Sequence, residues 1–265
     1  MASRLTRRGA EKTLKGRGFM MMMKKTVTAV LLLAMLAATG CASSDIAVGT
    51  GSWDGKEGTT AEKSEAASEL TDVTTKVFTN SIGTVWVVGI ATVKNTGNCD
   101  LYLSNINMDI ETSDGKLVDA MTLPAVTPTV LSPGETAVIY GEQTVSAEGD
   151  YKVVPTYKAV EAKIPNMRYP VSDVSFSEDD VMGTLEVVGR VENIDVEDQS
   201  MIEVAVIMYD ADGKVLGVMK TYTDEIVAGA KGTFKTSNIG DANKVALADI
   251  DHYDVIAYPG MQMQF

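Results

Sequence analysis

The sequence predicts an all-β protein: two tandem antiparallel β-sandwiches behind a signal peptide and a flexible tether. Three observations carry this. From Val73 onward apolar residues recur with a period of two, and no comparable helical period appears after the N-terminal segment. The alternating pattern occurs twice, with an Asn and an Asp-Gly turn 19 residues apart in each copy. The segments ahead of it have the composition of a leader and a linker. A chain of 265 residues with 45% apolar content has room for one or two domains, each with its own core.

The leader comes first. Residues 1–40 hold eight bases (Arg4, Arg7, Arg8, Lys12, Lys15, Arg17, Lys24, Lys25) and one acid, Glu11. The run from Thr26 to Ala38, TVTAVLLLAMLAA, is 13 residues long, too short for a spanning helix, which needs about 20. A basic region, a short apolar region and small residues before a cut describe an export signal. Met20-Met21-Met22-Met23-Lys24-Lys25 is the more natural start of such a leader, and residues 1–19 read as an upstream extension from a misassigned start. The run closes on Ala37-Ala38-Thr39-Gly40-Cys41, which resembles the lipobox of bacterial lipoproteins, with Ala38 where Leu is usual. That resemblance implies a lipid (palmitate) on Cys41, cleavage before it, and a membrane-anchored, extracytoplasmic location in a bacterial envelope.

The split also explains the charge. The net charge of −13 combines +7 on the leader with 15 bases and 35 acids beyond it, so the exported part carries −20. Such a surface disfavours nucleic acid and repels anionic lipid, so a covalent lipid must hold the chain at the membrane. Residues 41–71, rich in Ser, Gly, Thr, Ala and Glu, read as the tether, with Trp53 an isolated aromatic in it.

The sandwiches follow. In Leu101–Glu111, Ile106, Met108 and Ile110 fall on one face, while Asn105, Asn107, Asp109 and Glu111 fall on the other. Val87-Val88-Gly89 with Asn95 six residues after the Gly is matched by Val187-Val188-Gly189 with Asn193 four after it, an even difference that preserves strand parity. Asn95 stands 19 residues before Asp114 of Ser-Asp-Gly-Lys, and Asn193 stands 19 before Asp212 of Ala-Asp-Gly-Lys. Asp-Gly between alternating runs marks a hairpin, because Gly supplies positive φ without steric cost. A Gly-led turn then opens the next strand in each copy, at Gly134 and Gly229. The spacing predicts about seven short strands per copy, one sandwich over 72–160, a linker over 161–168 with Pro155, Pro165 and Pro170 around it, and a second sandwich over 169–265.

Gly189-Arg190-Val191-Glu192-Asn193, followed by Val206-Ile207-Met208-Tyr209-Asp210 ahead of the Asp-Gly turn, resembles the FxLYD domain. Tyr209 and Asp210 match its name, with Val206 and Met208 at the Phe and Leu places. In the first copy those places fall to Met108, Ile110, Glu111 and Thr112. The resemblance implies an immunoglobulin-like sandwich on bacterial envelope lipoproteins and brings no catalytic residues or cofactor with it.

Candidate chemistry is sparse. The one His, His252 in Asp249–Asp254, reads as a solvated turn residue beside carboxylates. Cys99, in the turn after Asn95, reads as a quiet thiol. No acidic pair stands out for glycosidase-type work. Simple antiparallel order brings Glu178-Asp179-Asp180, Asp210 with Asp212, and Asp241 to one end of the second sandwich, a conceivable calcium site, while the hairpin alone accounts for Asp210–Gly213. Met261 and Met263 offer two soft ligands that packing also explains. The strand Thr84–Asn95 is apolar on both faces. Trp86, Val88 and Ile90 form either a binding patch for a protein or glycan, or a face covered by the rest of the chain. The expected function is a non-catalytic, lipid-anchored adaptor for a protein partner, with polysaccharide or calcium binding, or a plain spacer, as alternatives.

Overall fold

The structure, a computed structural model, describes residues 64–178, 184–237 and 245–260; among them every regular element is a β-strand except one short 3-10 turn at Leu247–Asp249. The chain is all-β, as the period-two pattern requires. The first eight strands are β1 (Ser68–Thr79), β2 (Val85–Asn95), β3 (Leu101–Thr112), β4 (Leu117–Ala120), β5 (Ala125–Thr127), β6 (Val130–Leu131), β7 (Thr136–Val145) and β8 (Tyr151–Glu161). They form a sheet of order β1-β2-β7-β5 and a second of order β4-β3-β6, with β8 also on β3. The remaining six are β9 (Val171–Glu178), β10 (Leu185–Glu192), β11 (Ile202–Tyr209), β12 (Val215–Tyr222), β13 (Lys231–Ser237) and β14 (His252–Pro259). They form sheets of order β13-β10-β9 and β12-β11-β14. All ladders are antiparallel, and among the described residues no strand of the first group pairs with one of the second.

The repeat read in the sequence has a counterpart in these pairings. Order β13-β10-β9 reproduces β7-β2-β1, and β12-β11-β14 reproduces β4-β3-β8, so each strand keeps its neighbours in both copies. Asn95 and Asn193 are fully buried and make the same bonds. Asn95 Nδ2 donates to the Cys99 and Leu131 carbonyls at 2.8 and 2.9 Å, and its Oδ1 accepts from Gly97 N. Asn193 Nδ2 donates to the Glu197 and Ile226 carbonyls at the same two distances, and its Oδ1 accepts from Asp195 N. One side chain thereby ties the strand end, the turn after it and a distant loop, which needs a buried group with both donors and acceptors.

The hairpins close alike too. Gly115 and Gly213 sit at φ +88° and +80°, where a Cβ would be strained. Asp210 Oδ1 accepts from Asp212 N and Lys214 N, and in the first copy Thr112 Oγ1 stands in by accepting from Lys116 N at 3.1 Å.

Each copy has its own core. Val87, Ala91, Val93, Leu101, Leu103, Met108, Ile110 and Ile139 lead the first, and Val187, Val191, Val204, Val206, Met208, Met219 and Phe234 the second. Two details depart from the sequence reading. β1 begins at Ser68, which pairs with Asn95, and the Ala67 carbonyl accepts from Thr96 N and Gly97 N, so residues 65–71 belong to the folded body and not to the tether. Within β3 a bulge between Ser104 and Asn107, with Asn105 at φ +49°, switches the inward set from Leu101 and Leu103 to Met108 and Ile110. All described residues fall in one compact unit.

Candidate functional site

The apolar outer face of β2 is the natural place to begin. Val88 and Ile90 are each 2% exposed, and with Val138 of β7 they pack against Ile207, Val215 and Val218 of the second sandwich. Phe78, Tyr140, Tyr209 and Ile256 close the margin. Trp86 lies on the same strand opposite Phe78 and Thr144, half-buried, with its indole N–H buried and without a hydrogen-bond partner. Val88 and Ile90 of the patch read with Trp86 are therefore not an open docking surface. They form one wall of a third core, in which the outer face of β1-β2-β7-β5 meets the outer face of β12-β11-β14. Burying an aliphatic side chain of this size is worth about 1.5–3 kcal/mol, so six of them hold the two copies firmly together.

Polar contacts frame this core. On one side Lys76 Nζ donates to the Leu216 carbonyl at 2.6 Å across the boundary. Burial pulls its pKa down, the nearby Lys214 adds to that, and Asp210 and Asp249 oppose it. At another margin the connector Ala162–Arg168 is stapled to the first sandwich. Arg168 donates to the Val130 carbonyl at 2.9 Å and to Glu135 Oε2 at 3.3 Å, and Asn166 Nδ2 donates to Ser132 Oγ and Glu135 Oε2. The Arg168 guanidinium also stands 5.9 Å from the centre of the Tyr258 ring.

Beside it Glu203, 6% exposed, accepts from Tyr258 OH at 2.5 Å, from Tyr222 OH at 3.1 Å and from Lys220 Nζ. A buried carboxylate is tolerated because it is paired and fully hydrogen-bonded. Burial drives the Tyr258 phenol well above its ordinary pKa, and the Glu203 charge adds to the rise. Tyr258 OH also stands 3.4 Å from Thr127 Oγ1 of the first sandwich.

Among the described residues the interface is open beside the β11–β12 hairpin. A cleft of about 470 Å³ lies between the strand ends of the first sandwich and the β11–β12 hairpin of the second. Thr71 and Asp72 of β1, Thr92 of β2 and Thr136 of β7 form one wall. Asp212, Gly213 and Lys214 form the other, and Tyr209, Val138 and Val215 also line the cleft. The Thr71 and Thr92 hydroxyls are 2.7 Å apart and share a hydrogen bond. The Tyr209 ring stacks on His252 with centroids 4.7 Å apart and planes 8° from parallel. Burial raises the Tyr209 phenol, and Asp254, which accepts its hydrogen bond, raises it further.

Of this cleft's residues only Asp212 stood out in the sequence, as part of the conceivable calcium site. Thr71 fell in the presumed tether, and Lys214 read only as a turn residue. The available signal was the apolar outer set Ala205 and Ile207 on β11, which mirrors that of β2 and marks where the two copies meet.

The other candidates are dispersed. His252 is exposed, with Nδ1 3.1 Å from Asp251 Oδ2. Cys99 is a free, half-buried thiol packed against the first core. Among the described residues no group of three His, Cys, Asp or Glu side chains is placed to hold a metal. Asp179, Asp180 and Asp241 of the conceivable calcium site, Met261, Met263, Trp53, the export signal and Cys41 lie outside the described residues. No helix of the described residues is long and apolar enough to cross a membrane. No family model and no curated protein matches the chain.

Proposed function

We propose that the chain is a non-catalytic, lipid-anchored binding module of a bacterial cell envelope, built from two FxLYD-like, immunoglobulin-like domains and serving a protein partner at the cell surface. One observation carries this reading: Ala37-Ala38-Thr39-Gly40-Cys41 closes a 13-residue apolar run behind a basic region, with a Ser- and Gly-rich stretch next and a folded all-β body after it. The buried titratable groups support a non-catalytic role, since Glu203, Lys76 and Tyr258 are occupied by one another or by main-chain carbonyls. Because Val88 and Ile90 are covered from within, a partner reads other surfaces of the joined pair.

Mass spectrometry of the membrane fraction from cells expressing wild type and Cys41→Ala tests the anchor. The expected result is a diacylated Cys41 in wild type and loss of membrane association in the variant. A wild-type chain without lipid at Cys41 removes the anchoring step. Cross-linking of the anchored chain in its own envelope then identifies the partner.

A further inference from the structure

We infer that the cleft between the two sandwiches binds a short neutral oligosaccharide. The inference rests on reading the chain as a binding module and names the chemistry of what it binds. The cleft exists only because the copies are joined, since one wall comes from β1, β2 and β7 and the other from the β11–β12 hairpin. Its volume of about 470 Å³ falls within the range of roughly 300–1,000 Å³ usual for small-molecule sites, which favour such junctions.

The lining matches the two-sided chemistry of a sugar. Val138 and Val215 of the third core lie buried behind the cleft, and the half-buried Tyr209 ring is the apolar group left to meet the C–H face of a pyranose ring. Asp72, Asp212, Lys214 and the Thr92 hydroxyl supply carboxylate acceptors, an ammonium donor and a group that does both, which is what a rim of ring hydroxyls requires. Among the described residues neither Asp212 nor Lys214 takes part in an ion pair, so both are free to meet a ligand.

The same residues discriminate against charged ligands. Two carboxylates face one ammonium, and the amides of Asp212 and Lys214 are already occupied by Asp210 Oδ1, so an anion finds no cradle. Lys214 stands close enough to Lys76 to help lower the Lys76 pKa, so the cleft pairs its carboxylates with positive charge nearby. The site is also held in shape before a ligand arrives. Asp210 fixes the hairpin, His252 braces the Tyr209 ring, and the Thr71–Thr92 hydroxyl pair ties β1 to β2.

The test is isothermal titration of the full chain, purified in detergent, with maltotetraose, cellotetraose and chitotetraose. Saturable one-to-one binding of at least one of them is expected. The double variant Asp212→Ala/Lys214→Ala should weaken it by about tenfold or more, the scale of losing hydrogen bonds to charged groups. Both side chains are exposed, so the urea midpoint of the double variant should match wild type. Lys235→Ala, which removes an ammonium paired with Glu186 on the outer face of β13-β10-β9, should bind like wild type. Absence of saturable binding by all three sugars, or undiminished binding by the double variant, overturns the proposal. The same preparation reports the mass at Cys41: binding without lipid keeps the cleft and removes the anchor, and lipid without binding does the reverse.

Discussion

Strands β2 and β10 occupy the same place in their sandwiches and differ on the outer face. β2 turns Val88 and Ile90 outward, and both are buried under the second copy. β10 turns Glu186, Arg190 and Glu192 outward, and these pair with Lys235, Asp173 and Lys231 at 2.5, 3.7 and 3.4 Å on an open sheet. The other sheets show the reverse. β11 places Ala205 and Ile207 in buried outer positions, whereas β3 shows Asn107, hydrogen-bonded to Asp109, and Glu111, paired with Lys152.

Each copy thus has one apolar outer face, and the two are not equivalent: β1-β2-β7-β5 in the first, β12-β11-β14 in the second. The copies join head to tail. Such an interface would propagate without end if both faces of every unit were apolar. Here the outer faces of β3 and β10 carry polar and charged groups instead, much as the outer faces of terminal repeats do in a solenoid.

The sharpest way to break the comparison is to give the outer face of β2 a charge of the kind that β10 carries there. Ile90→Arg puts an unpaired guanidinium into the third core, at a cost of about 3–5 kcal/mol, the scale of an uncompensated buried charge. Urea unfolding should then resolve into two transitions, one per sandwich, where wild type shows one. A single transition displaced by less than about 1 kcal/mol would mean that this face does not join the copies.

What the copies share can be tested at the asparagines. Asn95→Ala and Asn193→Ala each remove two donated bonds and one accepted bond and leave buried carbonyls unpaired, for about 2–3 kcal/mol apiece. Equal losses in denaturant titrations are expected. A neutral substitution at either position would show that the shared geometry does not govern stability.

These residues also mark what was legible beforehand. The asparagines, the Asp-Gly turns and the alternation were readable because each follows from local rules of strand parity and turn geometry. The bulge at Asn105 was not, because nothing in the run Leu101–Ile110 distinguishes a parity switch from an unbroken strand. The double apolar face of β2 was visible, but what covers it depends on Ile207 and Val218, more than a hundred residues away. The cleft was invisible for the same reason: Asp72 and Asp212 meet only through tertiary packing. Cys41 as a lipid site is an expectation read from its position alone, and it lies outside the described residues.

Alkaline pH loads the same interface. The phenols of Tyr140, Tyr209 and Tyr258 are all raised above the ordinary value of 10.0, chiefly by burial. The folded state keeps those protons while the unfolded chain releases them, so stability is fully present below pH 10 and falls above it. The slope is at most about 1.4 kcal/mol per pH unit for each phenol. Lys76 works the other way, since its lowered pKa lets stability rise with pH up to its unfolded value of 10.5. Tyr140→Phe keeps the ring and removes one titrating group, so the fall in urea midpoint above pH 10 should become shallower. An unchanged slope would show that this phenol titrates normally.

The gentlest substitution asks whether polarity alone ends the stack. Arg190→Ile gives β10 a second outward aliphatic, beside Val188, on a face open to solvent. The lost pair with Asp173 is 3.7 Å long and exposed on both sides, so folding stability should stay within about 0.5 kcal/mol of wild type. What should change is association, because an apolar patch now appears where the array was capped. Sedimentation of the variant should show a concentration-dependent dimer that wild type lacks. Arg190→Lys, which keeps the charge, should remain a monomer. If Arg190→Ile also stays monomeric at every concentration, Arg190 is not what keeps this face from associating, and the charged ladder of Glu186, Glu192, Lys231 and Lys235 around it suffices by itself.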